Sequence, residues 1–266
     1  MVYECINLHF TDFCNYKCIH CFVNKENYEL SLENIKICVD RIKEYFEKNG
    51  VKGRINIAGG EPLISRNINE IIDYIYSKGI SISIITNGYY LSEEFIKRNS
   101  KKISSIGISV DSINNSINKI TGSCFGEKTI DYQTLVNNCL LIKKYNMKLK
   151  INTCLTKFNI DEDFTNFLRK IKPDRYKVLE VVCSNETKYL KPAEDKFLKF
   201  IKKHSEFITV VERDYEMDKS YIIVDSKGNL STNNYHINNY SLIDNSIEKI
   251  LEVLEIDDIN YLKRYT

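Results

Sequence analysis

The spacing of apolar residues switches repeatedly between a period of two and a period of about 3.6, so the chain must fold as alternating strands and helices. The spacing predicts strands over Cys5–Phe10, Arg54–Ala58, Ser81–Thr86, Ile103–Val110, Leu149–Leu155 and Tyr176–Cys183. Between them it predicts helices over Ser31–Lys48, Ile68–Lys78, Ser92–Asn99, Asp131–Tyr145 and Asp161–Ile171, with Ser31, Ser92 and Asp161 as N-caps. Successive strand-then-helix units imply an α/β architecture, a parallel sheet with helices outside it, curled or closed into a barrel. After Cys183 the pattern loosens. A helix over Ala193–Lys203 precedes strands at Phe207–Val211 and Tyr221–Val224, then the turn Ser226-Lys227-Gly228-Asn229 and a third short strand. One or two amphipathic helices are expected between Asn245 and Leu262. The simplest division is a barrel-like domain over 1–183 and a small α+β extension over 184–266 that packs on it.

Charge offers no bulk field. There are 38 Lys and Arg against 36 Asp and Glu, a net +2, which argues against nucleic acid or a membrane surface as partner. No apolar run approaches the ~20 residues of a membrane span, and Met1 leads straight into the first strand without a basic leader or cleavage site. The nine cysteines are an odd number in a chain too long to need disulfide staples. A reducing cytoplasmic setting is therefore expected, with any clustered thiols acting as metal ligands.

One cluster exists. Cys14-Asn15-Tyr16-Lys17-Cys18-Ile19-His20-Cys21 follows the first strand, at the strand end where parallel α/β folds build their sites. A structural zinc site takes four protein ligands and a ferredoxin-type cluster four thiolates, so three cysteines leave one coordination position open. Zinc with His20 or a distant fourth ligand, in a non-enzymatic interaction module, is the competing reading, and plain core packing is another. His20 is expected to pack over the site. Cys5, Cys38, Cys124, Cys139, Cys154 and Cys183 are expected to be small packing residues.

Cys14-x3-Cys18-x2-Cys21 after the first strand, with Gly59-Gly60-Glu61-Pro62 after the second, resembles the radical S-adenosylmethionine (SAM) enzymes. The resemblance implies a partial (βα)6 TIM-like radical SAM barrel and two cofactors. Cys14, Cys18 and Cys21 would hold a [4Fe-4S] cluster whose remaining iron is chelated by SAM; an electron from the cluster cleaves SAM to methionine and a 5′-deoxyadenosyl radical. Gly59 and Gly60, lacking side chains, would let the backbone approach the methionine part. Glu61 belongs to the same motif, and Asn87 (in Thr86-Asn87-Gly88), Ser109 and Asp111 (in Ser109-Val110-Asp111-Ser112) stand at strand ends that contact SAM in that family. Where the family often has an arginine for the SAM carboxylate, this chain has Thr121-Gly122-Ser123.

Asn7-Leu8-His9-Phe10-Thr11, Arg54 to Pro62, Lys150-Ile151-Asn152, Arg175-Tyr176-Lys177-Val178 and Lys219 to Ile222 are similar to the viperins, spread over most of the chain. Viperins dehydrate a nucleoside triphosphate to its 3′-deoxy-3′,4′-didehydro form, an antiviral RNA chain terminator. The resemblance implies abstraction of the C4′ hydrogen and loss of the 3′-hydroxyl as water. Arg54, Lys150, Arg175 and Lys177 would take the triphosphate and Asn7 would lie near the ribose. Lys150 is also the candidate proton donor and Tyr221 the candidate final hydrogen donor. The residues alone allow two readings of the basic group. Arg175 and Lys177 are two apart in a strand and share a face; with Lys150 and Arg54 they either converge inside the barrel on a polyanion or lie solvated at strand starts.

The sequence also departs from the animal enzymes. It lacks their N-terminal amphipathic helix, has Ala58 in place of a serine, and ends at Leu262-Lys263-Arg264-Tyr265-Thr266 without their aromatic tail. CTP, UTP and GTP all remain open as substrates. The expected partners are a nucleoside triphosphate and a flavodoxin- or ferredoxin-like electron donor, with no direct nucleic acid or membrane contact and a monomeric state. A radical SAM enzyme acting on another small molecule or a peptide is the alternative.

Overall fold

A computed structural model describes every residue except Asn24, residues 234–239 and Thr266, the last residue of the sequence. The strands are β1 (Cys5–Leu8), β2 (Arg54–Ile57), β3 (Ser81–Thr86), β4 (Ile103–Ser109), β5 (Lys148–Leu155), β6 (Arg175–Glu180), β7 (Ile208–Glu212), β8 (Ile222–Val224), β9 (Asn229–Thr232) and β10 (Tyr240–Ser241). The helices are α1 (Leu32–Lys48), α2 (Ile68–Ser77), α3 (Glu93–Asn99), α4 (Asn115–Ile120), α5 (Tyr132–Lys144), α6 (Thr165–Ile171), α7 (Glu194–Lys203), α8 (Asp214–Met217), α9 (Ile247–Leu251) and α10 (Asp258–Tyr265). One ten-stranded sheet runs β10-β9-β8-β1-β2-β3-β4-β5-β6-β7. It is parallel from β8 to β7, with β9 and β10 antiparallel at one edge. This is the partial barrel expected. The strands after residue 183 continue its sheet at both edges, β7 beside β6 and β8 beside β1.

Local chemistry explains the element boundaries. Ser31 Oγ accepts from the Asn34 N–H (3.2 Å) and Ser92 Oγ from the Phe95 N–H (3.2 Å), so both serines cap as expected. Asp161 does not cap: α6 starts at Thr165, and the free N–H of Phe164 is taken by the buried His204 Nε2 at 3.0 Å. Residues before it are turned instead around Asn159, whose side chain accepts from the Thr156 N–H (2.7 Å) and donates to the Asp111 carbonyl (2.6 Å). Helix α4 carries no apolar stripe, which is why periodicity does not reveal it; Asn114 starts it by accepting from the Ser116 N–H at 2.9 Å.

Ile, Leu and Val on the outward face of the sheet meet the inner faces of the helices. Ile71, Ile72 and Ile75 of α2 are fully buried, each stabilising by about 1.5–3 kcal/mol. The opposite face of the strands is not apolar. Along β5, Leu149, Ile151 and Thr153 are fully buried, while Lys150, Asn152 and Cys154 alternate with them and face the inside of the barrel. Arg175, Lys177 and Leu179 do the same on β6, and Cys5 and Asn7 on β1. A barrel lined with cations, amides and hydroxyls is built to hold a polar ligand, because TIM-type barrels otherwise fill their interior with branched apolar side chains.

Helix α10 closes the lower end of this lumen. Tyr261 packs edge-on to Tyr3 with centroids 5.0 Å apart, and its hydroxyl both accepts from the Cys5 N–H (2.8 Å) and donates to the Cys5 carbonyl (3.1 Å). That anchor carries Arg264 and Tyr265 into the barrel. Among the described residues no helix is long and apolar enough to cross a membrane.

Candidate active site

The cysteine loop is gripped from two sides by backbone hydrogen bonds. On one side the Gly60 N–H donates to the Thr11 carbonyl and the Glu61 N–H to the Phe13 carbonyl, both at 2.8 Å. On the other, the Lys17 and Ile19 N–H groups donate to the Gly122 and Thr121 carbonyls at 3.0 and 2.9 Å. The glycines are needed for this grip. A Cβ at Gly60 would stand 2.1 Å from the Phe13 carbonyl oxygen, one at Gly59 2.4 Å from that of Thr11, and one at Gly122 2.1 Å from that of Lys17. Their missing side chains therefore admit the cysteine loop's own backbone, a use of Gly59 and Gly60 different from the one the motif suggests. It also gives the Thr121-Gly122-Ser123 segment a role that no sequence signal discloses. Gly60→Ala is expected to lose about 1–3 kcal/mol of stability together with the metal; an unchanged melting temperature and iron content would show that the loop is not seated there.

Glu61 ties the ends of β2 and β3 together. It is 1% exposed, and its carboxylate accepts from Thr86 Oγ1 (2.6 Å), the Asn87 N–H (2.7 Å) and the Leu63 N–H (3.0 Å). Burial lifts its pKa to about 7 against those three bonds. Asn87 is held in turn, donating to Asn15 Oδ1 at 2.8 Å, with its amide nitrogen 4.0 Å from Cys14 Sγ.

Cys14, Cys18 and Cys21 are free and half-buried. Burial raises the thiol pKa of Cys14 and pushes that of Cys18 up to about 12, and the neighbouring thiols of the trio add to both shifts. Weak donors face the sulfurs: the Tyr16 N–H is 3.4 Å from Cys14 Sγ and Ser123 Oγ is 3.5 Å from Cys18 Sγ. Sulfurs with hydrogen-bond donors, in a place too dry for bare thiolates, suit an iron–sulfur cluster, whose positive irons supply the charge the thiolates need. Among the described residues no three His, Cys, Asp or Glu side chains close on a single point as one mononuclear ion requires; a cluster takes one cysteine per iron and holds them apart.

His20 does not stand free above this loop. Its Nε2 lies 3.0 Å from Asp111 Oδ2, which raises the imidazole pKa despite burial, and Asp111 Oδ1 accepts from the Cys154 N–H at 2.9 Å. Asp111 thereby joins the cysteine loop to β5. Beside Cys18 opens a cleft lined by Asn87, Ser109, Asp111, Ser112 and Ser123. Ser109 faces it from the end of β4. Of the remaining cysteines, Cys38 and Cys139 are core residues as expected. Cys5 is buried as expected too, on an inward position of β1, while Cys154 takes an inward position of β5 and Cys124 and Cys183 are half-exposed.

The basic residues do converge. Lys150 has its pKa lowered to about 8, first by burial and then by Arg54, Arg175 and Lys177, so all four share one space and the solvated alternative falls. Strand pairing sets this, with Lys150 level with Arg175 and Asn152 with Lys177. Strand β5 begins two residues before Lys150, at Lys148. Lys150 makes no hydrogen bond or ion pair with any described residue, and Arg54 Nε is buried without a hydrogen-bond partner among them. Above the cations runs an amide and hydroxyl relay, from Ser83 Oγ to Asn56 Oδ1 (2.8 Å) and from Asn56 Nδ2 to Asn7 Oδ1 (2.9 Å).

Three residues here escaped sequence reasoning. Glu212, inward on β7, pairs with Lys177 Nζ (2.5 Å) and Arg264 Nε (3.1 Å), and Tyr221 donates to its Oε2 (2.7 Å). Lys177 also donates to the Tyr221 hydroxyl (2.9 Å), and the Arg264 guanidinium lies 3.4 Å from the centre of the Tyr221 ring. Tyr265 accepts from Asn7 Nδ2 (3.1 Å) and faces the Arg54 guanidinium at 5.5 Å. The alternation of β7 could have marked Glu212; nothing local marks Arg264 or Tyr265, whose place depends on how α10 docks.

Barrel, cysteine loop and strand-end cleft together define a class. The radical SAM superfamily matches residues 8–171, and the chain belongs to that superfamily, whose cofactors are a [4Fe-4S] cluster and SAM. Within it the chain is similar to proteins named S-adenosylmethionine-dependent nucleotide dehydratase. It is 30% identical to one from Selenomonas ruminantium over all of this chain and 99% of that protein. It is 31% identical to another from Flammeovirga pacifica over 91% of this chain and 86% of that one. Among solved structures, anSMEcpe with bound AdoMet and a peptide superposes at a TM-score of 0.73 with 15% identity, over 94% of this chain and 80% of that one. Streptococcus suis SuiB with its precursor peptide gives 0.70 at 15% identity over 97% of this chain, which spans 66% of SuiB's length. These two likenesses concern the fold.

Proposed function

We propose that the protein is a SAM-dependent nucleotide dehydratase that converts a ribonucleoside triphosphate (CTP, UTP or GTP) to its 3′-deoxy-3′,4′-didehydro analogue. One observation carries this reading: Arg54, Lys150, Arg175 and Lys177 meet inside the barrel, with the Lys150 ammonium and Arg54 Nε left unpartnered. Buried cations that repel one another cost several kcal/mol unless an anion answers them, and a triphosphate does so with many charge-assisted bonds. The names of the bacterial relatives support the same substrate class.

Cys14, Cys18 and Cys21 would hold the cluster, with SAM in the adjoining cleft beside Asn87, Ser109 and Asp111. Bound there, the cluster and SAM supply a 5′-deoxyadenosyl radical able to take the C4′ hydrogen. The residues of the chain do the rest. The cations fix the phosphates at the lower end of the lumen, which brings the ribose up to Asn7 and toward the strand ends; two residues along a strand advance about 6.5 Å. Departure of the 3′-hydroxyl as water needs a proton, and the Lys150 ammonium is the candidate donor. Tyr221, its hydroxyl fixed by Lys177 and Glu212, is the candidate final hydrogen donor. The external electrons would come from a flavodoxin- or ferredoxin-like donor.

The test is anaerobic reconstitution with iron and sulfide, then SAM, dithionite and each nucleoside triphosphate in turn. Formation of 5′-deoxyadenosine together with a nucleotide lighter by one water is expected. SAM cleavage with no change in any of the four nucleotides would remove the substrate assignment.

A further inference from the structure

We infer that the protein takes its nucleoside triphosphate as the free tetraanion, without a bound magnesium ion, its own side chains standing where other nucleotide enzymes place the metal. The inference rests on the nucleotide reading above and specifies the form of that substrate. Nucleotide enzymes commonly neutralise the phosphates with one or two Mg²⁺ ions, held by carboxylates that face the site. Here the balance of charge is reversed.

Arg54, Lys150, Arg175 and Lys177 face the lumen from β2, β5 and β6, and Arg264 enters it from α10. Lys177 lies within electrostatic reach of both Arg264 and Arg175, and Arg175 donates to the Arg264 carbonyl, so the fifth cation belongs to the same group. The titratable groups that face them are the Cys5 thiol beneath Arg54, the hydroxyls of Tyr221, Tyr261 and Tyr265, and Glu212. Glu212 is the carboxylate that pairs with these cations; Glu216, which lies within electrostatic reach of Glu212, is ion-paired with Lys263, and that pair adds no net charge. Both oxygens of Glu212 are already taken, Oε1 by Lys177 and Arg264 and Oε2 by Tyr221.

Five cations and one carboxylate leave four net positive charges, the number a fully ionised triphosphate neutralises. A magnesium complex brings only half that negative charge, and its metal would enter a space of like charge. At 4 Å, two unit charges at an effective dielectric of 20 interact by about 4 kcal/mol, and a divalent ion doubles each such term. The Glu212 carboxylate, already ion-paired with Lys177 and Arg264, offsets only part of it. Magnesium, which gives up its water reluctantly and looks for carboxylate oxygen, would have only phosphate to hold.

The test is equilibrium binding of CTP, UTP, GTP and ATP to the anaerobically reconstituted protein with SAM present. Each is measured in EDTA and in a series of magnesium concentrations at matched ionic strength, so that screening is constant. Since only the free nucleotide competes for the site, the apparent Kd should weaken in proportion as magnesium removes it, by about tenfold or more at millimolar excess. A Kd that is unchanged or tightened by magnesium would overturn the inference and leave the nucleotide reading standing. No binding of any triphosphate in either condition would overturn both.

Discussion

Cys18→Ala is expected to yield a folded protein that cannot hold a [4Fe-4S] cluster: iron and sulfide content and charge-transfer absorbance fall to background, while the circular dichroism spectrum is unchanged. The two halves of that result have separate causes. The loop is held by backbone groups, the Lys17, Ile19 and Cys21 N–H donors bonding to the Gly122, Thr121 and Cys18 carbonyls at 3.0, 2.9 and 3.2 Å, and alanine keeps all of them. What disappears is one sulfur and its 3.5 Å contact with Ser123 Oγ, worth no more than about 1 kcal/mol to the fold. To the cluster the loss is decisive, since three thiolates already leave one iron without a protein ligand. Cys154→Ala is the control. Cys154 lies close enough to feel Cys18 and Cys21 electrostatically, yet sits on β5 outside the loop, and its variant should retain iron. A full cluster in Cys18→Ala, or its loss in Cys154→Ala, would reassign the ligands; zinc in the purified wild type would replace the cluster altogether.

The sequence was most legible where chemistry is local. A strand's period of two and the serine caps at Ser31 and Ser92 each lie within a few residues, and each reappears in place. The convergence of Arg54, Lys150, Arg175 and Lys177 was legible only as one of two readings, because alternation says that side chains share a face but not which face is the lumen. Parallel pairing of β4, β5 and β6 decides that. The glycines show the opposite failure. Gly59, Gly60 and Gly122 were visible, but their partners are the carbonyls of Thr11, Phe13 and Lys17, far off in sequence. Arg264, Tyr265 and Glu212 reach the site from the edges of an open barrel, where β7 and β8 do not pair and side chains span the gap. No periodicity encodes that meeting.

Lys150→Met should bind nucleoside triphosphate about 10- to 150-fold more weakly than wild type, the equivalent of about 1.5–3 kcal/mol for a hydrogen bond to a charged group, and should melt at a higher temperature. The two effects share one origin. Without nucleotide the ammonium is buried, unpartnered and repelled by three neighbouring cations, which is why its pKa falls to about 8. A thioether of similar length removes both burdens, and each kcal/mol regained in a chain of this size raises Tm by about 2–4 °C. The sign of the pH dependence follows. The ammonium forms meet the anion, and both Lys150 and Lys177 are lowered to about 8, so wild-type affinity should hold below pH 8 and fall as pH rises through it, whereas Lys150→Met should fall less steeply over that interval, keeping only the share that Lys177 contributes. Lys150→Arg separates charge from shape: a guanidinium stays protonated across the range, so between pH 8 and 9 its affinity should weaken less than that of wild type, the remaining loss coming from Lys177. If Lys150→Met binds as wild type does, Lys150 does not touch the phosphates. If it binds weakly but melts lower, the lysine stem contributes packing that outweighs the repulsion among the four cations, and the lumen is less strained than its charges imply.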